Sequence, residues 1–372
     1  MPHRRRRGRD TAPGPLPERR GTSGRGLDDV LCVEVGRPAT GAGAVTGLAS
    51  KSLTAFPFPL TSDSYRYSTN LAPAGTEVVT ATGRWGSRVV DVDGDYETEL
   101  AERAAILAAD PGRHAVLPHM RPACWDAMLT LMRELATAYP EAMSLDGDGT
   151  RWRWRNDRLG IRQDFTVGDD ASLPAEPLAY VAAQMQEDVV LLDQRGGELF
   201  IDAGVVTFAA AWSFGFDVGM EFLDVHGPVP RLRESGVVTR ARDFIVRLQP
   251  GQSYRRTNWS IAMGRRLDQS LERYPEWAPD RGAAVDADDD AFGRLVHLRV
   301  EVQHLIRLPE TGAICFLIRT YLLALSDLVT VEPWRLRAAA VLAELPEDLA
   351  DYKGFAPHRD RIVSWLRLHG GT

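Results

Sequence analysis

A histidine in a proline-rich loop is the first candidate for chemistry in this sequence. The run Asp224-Val-His226-Gly-Pro228-Val-Pro230 places two prolines after the imidazole, and proline fixes the backbone and cannot continue a helix. A stiff loop suits an axial ligand of a metal or of haem iron, because the ring must reach the ion without turning away. Asp224 or a backbone carbonyl would orient the second ring nitrogen. The alternative is an ordinary histidine in a surface turn.

The segment before this loop is rich in large aromatic side chains. They are Phe208, Trp212, Phe214, Phe216 and Phe222. Such a cluster is more often core, but it can also line a flat hydrophobic cofactor, and Trp212 is the candidate for that contact.

A second candidate is the predicted strand 255–262. Side chains alternate along a strand, so Arg256 and Asn258 face one side and Trp259 the other. The Arg256 guanidinium can clamp a propionate or a phosphate with two parallel hydrogen bonds. The alternative is a half-buried strand with a solvated arginine face.

A third candidate lies in the segment 292–305, which the sequence predicts to be helical. On a helix His297, Glu301 and His304 share one face. The outer two lie about 10 Å apart along the axis, so only a pair of neighbours could share one metal ion. The alternative is a hydrogen-bonded or solvated face.

The elements around these residues predict an α+β fold. Apolar residues recur with the spacing of a helix at 95–109, 124–139, 178–185, 334–342 and 358–368. Apolar, β-branched runs predict strands at 188–194, 198–210, 244–248, 255–262 and 312–321, the first two joined by a hairpin at Arg195-Gly196-Gly197. Helices before and after a mostly antiparallel sheet make one large domain over residues 51–372.

The composition excludes several classes of protein. The chain has 372 residues, 44% of them hydrophobic and 26% charged, with a formal net charge of −7. No apolar run approaches the roughly 18 residues of a membrane span, and the negative charge argues against a nucleic-acid-binding surface. Three widely spaced cysteines cannot form a disulfide framework or an iron–sulfur cluster. No P-loop or GxSxG motif is present.

The first 50 residues differ from the rest of the chain. They are rich in Arg, Gly and Pro, which predicts a disordered tail. The basic start has no apolar stretch after it, so we expect no export signal and a cytoplasmic protein.

Seven short motifs, in this order, resemble the haem-dependent oxidative N-demethylase alpha-subunit-like family. They are Gln186-Glu187-Asp188, Phe208 to Trp212, His226 to Pro230, Arg256 to Ser260, Leu298 to Glu301, Arg307 to Ala313 and Ile318 to Tyr321. Tyr352-Lys353-Gly354 near the C-terminus is similar too.

The resemblance implies a haem b domain with a PAS-like sheet. It also implies oxidative removal of a methyl group from a small amine, with release of formaldehyde. NADPH would supply electrons through separate flavin and iron–sulfur partner proteins. His226 would be the axial ligand, Arg256, Asn258, Arg307 and Trp212 would bind the cofactor, and Glu301 and Gln303 would act in catalysis.

The chain departs from the family pattern at several positions near the implied pocket. These are Ala209, Ala210, Asp217, Val302 and His304. The differences leave open a second interpretation, a non-catalytic PAS-like sensor of haem or of a small molecule.

Overall fold

The computed structural model describes residues 53–66 and 68–369. The tail predicted over residues 1–50 lies outside the described residues. Twelve strands occur in the described part: β1 (Ala72–Pro73), β2 (Val78–Val79), β3 (Arg84–Trp85), β4 (His114–Val116), β5 (Met143–Asp148), β6 (Arg151–Asn156), β7 (Ile161–Thr166), β8 (Asp188–Arg195), β9 (Glu198–Val205), β10 (Ser253–Met263), β11 (Val296–Arg307) and β12 (Ile314–Ala324).

Helices precede, interrupt and follow these strands. They are α1 (Tyr96–Ala109), α2 (Arg121–Ala138), α3 (Pro177–Ala182), α4 (Phe214–Asp217), α5 (Phe222–Val225), α6 (Val237–Val246), α7 (Tyr274–Asp286), α8 (Asp289–Leu295), α9 (Leu325–Leu328), α10 (Glu332–Glu344), α11 (Glu347–Tyr352) and α12 (Arg359–Leu368). The helical periods found in the sequence are confirmed in α1, α2, α3, α10 and α12, with ends displaced by a few residues.

A seven-stranded antiparallel sheet is the centre of the fold. Its strand order is β1-β10-β11-β12-β8-β9-β4, and every pair in it is antiparallel. The α+β class and the β8–β9 hairpin are confirmed. A separate three-stranded sheet, β5-β6-β7, was missed. Its central strand alternates Arg with Trp, and its two fully buried residues are Trp154 and Asn156, so it has no apolar run to mark it as a strand.

Two predicted elements are wrong. The apolar run 244–248, predicted as a strand, is the end of α6, in which Val238 and Ile245 are seven residues apart and are the buried positions of an amphipathic helix. The segment 292–305, predicted as a helix, is helical only to Leu295 and then continues as β11. Layers cover both faces of the sheet, so β11 is buried on both sides. Its residues 296–303 nevertheless alternate strictly between apolar and polar side chains, which is the two-residue period of a strand that the helical interpretation missed.

The two faces of the large sheet have different coverings. We call the face that carries the side chains of His297, Arg299, Glu301 and Gln303 the inner face, and the opposite one the outer face. The chain between β9 and β10 covers the inner face, where Phe214 and Leu248 join one core cluster with sheet residues. Two other clusters cover the outer face: one includes α2, and the other includes α10 and α12.

The far edge of β10 is covered by side chains in place of a strand. In the described residues β10 pairs with β1 only at Tyr254 and Arg255. Next along the strand, the Asn70 amide donates to the Thr257 carbonyl oxygen at 2.9 Å, and the Thr257 N–H donates to Asn70 Oδ1 at 3.1 Å. Asn70 therefore makes the hydrogen bonds that a neighbouring strand would make.

A buried carboxylate connects helix α1, the sheet and the covering of the inner face. Asp188 is 1% exposed, and its Oδ1 accepts from Arg103 Nη1 at 3.0 Å and from the Thr207 N–H at 2.9 Å. Its Oδ2 accepts from the Phe208 N–H at 2.8 Å. Arg103 also donates to the Gln186 carbonyl at 3.0 Å. Asp188 thus fixes where the chain leaves β9 to cross the inner face.

We expect Asp188→Asn to lower the free energy of unfolding by about 3 kcal/mol, because it leaves a buried guanidinium without its counter-ion. Urea denaturation of the purified protein measures the loss. The control is Asp164→Asn, which breaks an ion pair with Arg153 whose side chains are 70% and 73% exposed. That change should cost less than about 1 kcal/mol. Equal losses in the two variants would contradict the role assigned to Asp188.

Candidate functional site

Four polar side chains from two strands form a cluster on the inner face. The β10–β11 register pairs Arg256 with Gln303 and Asn258 with Glu301. Glu301 Oε2 accepts from Asn258 Nδ2 at 3.2 Å and from Gln303 Nε2 at 2.9 Å. Trp259 lies on the opposite side and packs with the C-terminal helices. The structure therefore brings together four of the predicted site residues, which we call the Glu301 cluster.

Arg299 supports this cluster from the same strand. Its guanidinium is fully buried, and its Nε lies 3.6 Å from Glu301 Oε1. Its other nitrogens donate to the carbonyls of Leu267 and Phe208 at 2.8 and 2.5 Å. These bonds fix Arg299 in place, so the Glu301 carboxylate lies next to a cation that cannot move away. The buried Gln303 Oε1 has no hydrogen-bond partner.

Lys353 reaches the edge of β10 from the end of α11. Its ammonium group donates to the Trp259 carbonyl oxygen and lies 4.7 Å from the centroid of the Trp259 ring. Burial lowers the pKa of Lys353 to about 8, with Arg256 acting in the same direction and Glu301 against it. Lys353 lies in one of the motifs that resemble the family, but the sequence predicted no role for it. The available signal was its rarity, since 42 of the 44 basic residues are Arg.

His226 follows the one-turn helix α5 and is half-buried. Its Nδ1 bonds to the Phe222 carbonyl oxygen at 2.7 Å, and the two rings are 4.3 Å apart. A carbonyl only accepts, so Nδ1 carries the proton and Nε2 of the neutral ring carries a lone pair. Burial lowers the pKa of His226, and so does the charge of Arg256, against the effect of the carbonyl bond. Asp224 instead accepts from Arg233 at 3.0 Å, so the carbonyl is the orienting group.

The prediction that His297, Glu301 and His304 share one helix face, with a neighbouring pair able to bind one metal ion, is wrong. Residues 296–307 form a strand, so His297 and Glu301 lie on the inner face and His304 on the outer one. His297 and Glu301 are also separated by about 13 Å of strand, which is too far for one metal ion. His304 is buried opposite Arg255, and neither of its ring nitrogens has a hydrogen-bond partner. Burial lowers the pKa of His304 to about 3, and Arg255 adds to that effect.

The two remaining candidates do not join the Glu301 cluster. Arg307 lies at the other end of β11 from His297, where its Nη1 donates to Gln194 Oε1 at 2.5 Å. Trp212 is half-buried in the chain that covers the inner face, and it packs on the same core cluster as Phe222. Trp212 is therefore near the His226 helix in the covering layer, whereas Arg307 is not near the cluster.

Two groups of acidic and histidine side chains elsewhere have the spacing of a metal site. They are His119 with Asp193 and Asp202, and Asp93 with Asp95 and Glu99. In each group an arginine already pairs with two carboxylates: Arg195 with Asp193 and Asp202, and Arg319 with Asp93 and Glu99. Neither group therefore requires a metal ion.

The family model described as haem-dependent oxidative N-demethylase, alpha subunit-like, matches residues 81–363. The chain belongs to this family. The matched range includes His226, the Glu301 cluster and Lys353, so the family relationship extends over the whole site. The family description names haem dependence and oxidative N-demethylation. None of the helices in the described residues combines the length and apolar character that crossing a bilayer requires.

We expect His304 to make the fold sensitive to acid. An unfolded histidine takes up a proton near pH 6.5, whereas folded His304 does so only near pH 3. The contribution of His304 to the free energy of unfolding is therefore fully present above pH 6.5. It is lost as the pH falls below that value, by up to about 1.4 kcal/mol per pH unit. Between pH 7 and 4.5, His304→Leu should lose about 2 kcal/mol less than the parent protein.

Chemical denaturation at the two pH values provides the measurement. The control is His119→Gln, which changes a histidine that is 49% exposed. If His304→Leu and the parent lose the same free energy between the two pH values, the buried neutral histidine is not responsible for acid sensitivity.

Proposed function

We propose that this domain binds haem b over the inner face, with Nε2 of His226 as the axial ligand of the iron. The observation that carries the proposal is the bond from His226 Nδ1 to the Phe222 carbonyl. Histidines that bind metals commonly donate their second N–H to a carbonyl or carboxylate, which fixes the tautomer and the ring direction. The lowered pKa keeps His226 neutral at physiological pH, as a ligand must be.

The order of the strands supports a PAS-like fold. Numbered along the chain, the five strands β8 to β12 lie in the order 2-1-5-4-3, with the helical segment between the second and third. That order and that crossover are typical of PAS domains, in which the helical segment and the sheet enclose a ligand. His226 belongs to the helical segment, and the Glu301 cluster belongs to the sheet below it.

The residues around His226 fit the charges of a haem. The propionates of haem are carboxylates, and the guanidinium of Arg256 would pair with one of them. Arg256 is close enough to His226 to act electrostatically on it. Asn258 adds an amide on the same face, and Trp212 adds an aromatic side chain from the covering segment. Arg307 is too far along β11 to share this role. We therefore assign cofactor binding to His226, Arg256, Asn258 and Trp212.

The Glu301 cluster fits a small amine. A protonated secondary amine presents two N–H groups and a positive charge. Glu301 offers a carboxylate, and Gln303 Oε1 is a buried acceptor without a partner. Asn258 and Gln303 Nε2 hold the Glu301 carboxylate in one orientation. Glu301 would bind the ammonium group, and Gln303 would accept its second hydrogen bond, so that the N-methyl group points away from the sheet.

The bound haem would supply the oxidation itself. For each methyl group removed, one O₂ and two electrons, with two protons, yield the demethylated amine, formaldehyde and water. NADPH would supply the electrons through separate flavin and iron–sulfur proteins. The residues of this chain would bind the amine and orient it.

We expect His226→Ala to lose haem. Reconstituted protein is measured for haem stoichiometry and for the Soret maximum of the ferric and ferrous forms. His304→Ala is the matched control, because it removes an imidazole from the outer face of the same sheet. Its spectrum should equal that of the parent. An unchanged His226→Ala spectrum together with loss of haem in His304→Ala would place the ligand on β11 and overturn the assignment.

We expect the parent protein, supplied with haem, a reductase system, NADPH and dimethylamine, to release formaldehyde. Glu301→Gln should raise the KM for the amine at least tenfold, since it removes the carboxylate that binds the cation. The control is Glu276→Gln, a half-exposed acid on α7. Haem binding without formaldehyde release from a range of small amines would favour the alternative function, a non-catalytic PAS-like sensor.

A further inference from the structure

The single turn of helix α5 is held at its C-terminal end by side chains. The turn is Phe222–Val225, which is too short to be stable on its own. The last carbonyl groups of a helix have no backbone partner within it. Here the His226 ring donates to the Phe222 carbonyl oxygen at 2.7 Å, and Arg233 Nη2 donates to the Leu223 carbonyl oxygen at 3.2 Å. Two neighbouring carbonyls of one turn thus accept from the proposed ligand and from an arginine.

Arg233 also binds the carboxylate of the same turn. The nitrogen that donates to Leu223 lies 3.0 Å from Asp224 Oδ1, and one guanidinium NH₂ group has a hydrogen for each of these acceptors. The guanidinium also lies beside the residue after His226, because a Cβ at Gly227 would be 3.8 Å from Arg233 Nη2. Arginine side chains commonly close helix ends in this way.

The start of helix α6 holds Arg233 in place. The Arg233 carbonyl oxygen accepts from the Gly236 N–H at 3.0 Å, and Gly236 has a left-handed φ of 67° that closes this turn. Helix α6 begins at the next residue, and its buried Ile245 belongs to the core cluster of the inner face. None of the four residues of α5 is buried. Arg233 therefore connects the weakly packed turn before His226 to a helix that is anchored on the sheet.

We propose that Arg233 is a positioning residue for His226: it holds the turn of α5, so that the Phe222 carbonyl fixes the tautomer and the direction of the imidazole. The consequence for haem binding rests on the proposed function. Asp224, which the sequence suggested as an orienting group, acts only through Arg233. The side chains of Arg233 and Asp224 are 59% and 62% exposed, and ion pairs this exposed contribute little to the stability of a fold. A purely structural role therefore predicts that loss of Arg233 has no effect on His226.

The tautomer of His226 can be measured in the full-length protein without haem. In protein labelled with [¹⁵N]histidine, long-range ¹H–¹⁵N spectra distinguish protonated from unprotonated ring nitrogens, and His226→Gln assigns the signal. At mildly alkaline pH, where the ring is neutral, the parent should carry its proton on Nδ1. Arg233→Gln should transfer part of the population to the Nε2–H form, which an unconstrained neutral histidine prefers.

Arg231→Gln is the matched control. Arg231 lies in the same loop, is 54% exposed, and pairs with Asp348 of α11 at 2.6 Å, so its replacement also breaks an exposed ion pair. The tautomer of His226 should stay that of the parent in this variant, and both variants should keep the urea midpoint of the parent. An unchanged tautomer in Arg233→Gln, or an equal change in Arg231→Gln, would overturn the proposal. So would a large fall of the urea midpoint in Arg233→Gln alone, which would make Arg233 a structural residue.

Asp224→Asn tests the order of these contacts. It leaves the bond from Arg233 to the Leu223 carbonyl, so the tautomer should change in the same direction as in Arg233→Gln, but less. Because Asp224 acts through Arg233, the double variant should equal Arg233→Gln alone. A larger change in Asp224→Asn than in Arg233→Gln would show that the carboxylate orients the ring directly, against the proposal.

Haem titration separates this inference from the proposed function. Arg233→Gln should bind haem about tenfold more weakly than the parent, which is the low end of the loss found when a hydrogen-bond partner of a metal-binding histidine is removed. Arg231→Gln should bind haem as tightly as the parent. A changed tautomer with parental haem affinity in Arg233→Gln would support the positioning of the ring and overturn its consequence for haem. If His226→Ala also keeps the parental affinity, the proposed ligand is wrong, and the tautomer still decides the role of Arg233.

Discussion

The inner face depends on the buried pairing of Asp188 with Arg103. One carboxylate accepts hydrogen bonds from the helix α1 guanidinium and from the backbone N–H groups of Thr207 and Phe208. The chain after β9 is therefore anchored at its start, and it must cross the sheet from that point. Its far end is fixed by β10. Between these limits the covering segment forms only short helices and loops, and it carries Trp212 and His226 over the sheet.

The site is assembled by the antiparallel register of β10 and β11. A shift of one residue would turn Glu301 away from Asn258 and move His304 to the inner face. Register is secured because Leu298 and Val300 on the outer face pack against the C-terminal helices. The same apolar packing that stabilises the domain thus determines which polar side chains meet on its other side.

Local patterns in the sequence predicted part of the site. Alternation alone places Arg256 and Asn258 together, and the prolines after His226 identify its loop. The partner strand was predicted as a helix, although residues 296–303 alternate between apolar and polar side chains with the period of a strand. The spacing of His297, Glu301 and His304 also fits one face of a helix, so the two patterns competed. The carbonyl that orients His226 is set by the single turn of α5, which no propensity identifies. Lys353 reaches the sheet through long-range packing, so its role could not be predicted from neighbouring residues.

The covering of the β10 edge has a consequence for the behaviour of the protein at high concentration. An exposed edge is a template on which a second molecule can add a strand, and that addition leads to aggregation. Asn70 satisfies the groups of Thr257 at this edge, and Lys353 satisfies the carbonyl of Trp259. Because a neutral amine donates as well as an ammonium group, the edge stays blocked on both sides of the lysine titration. Loss of the Lys353 proton can therefore occur without opening this edge to a second molecule.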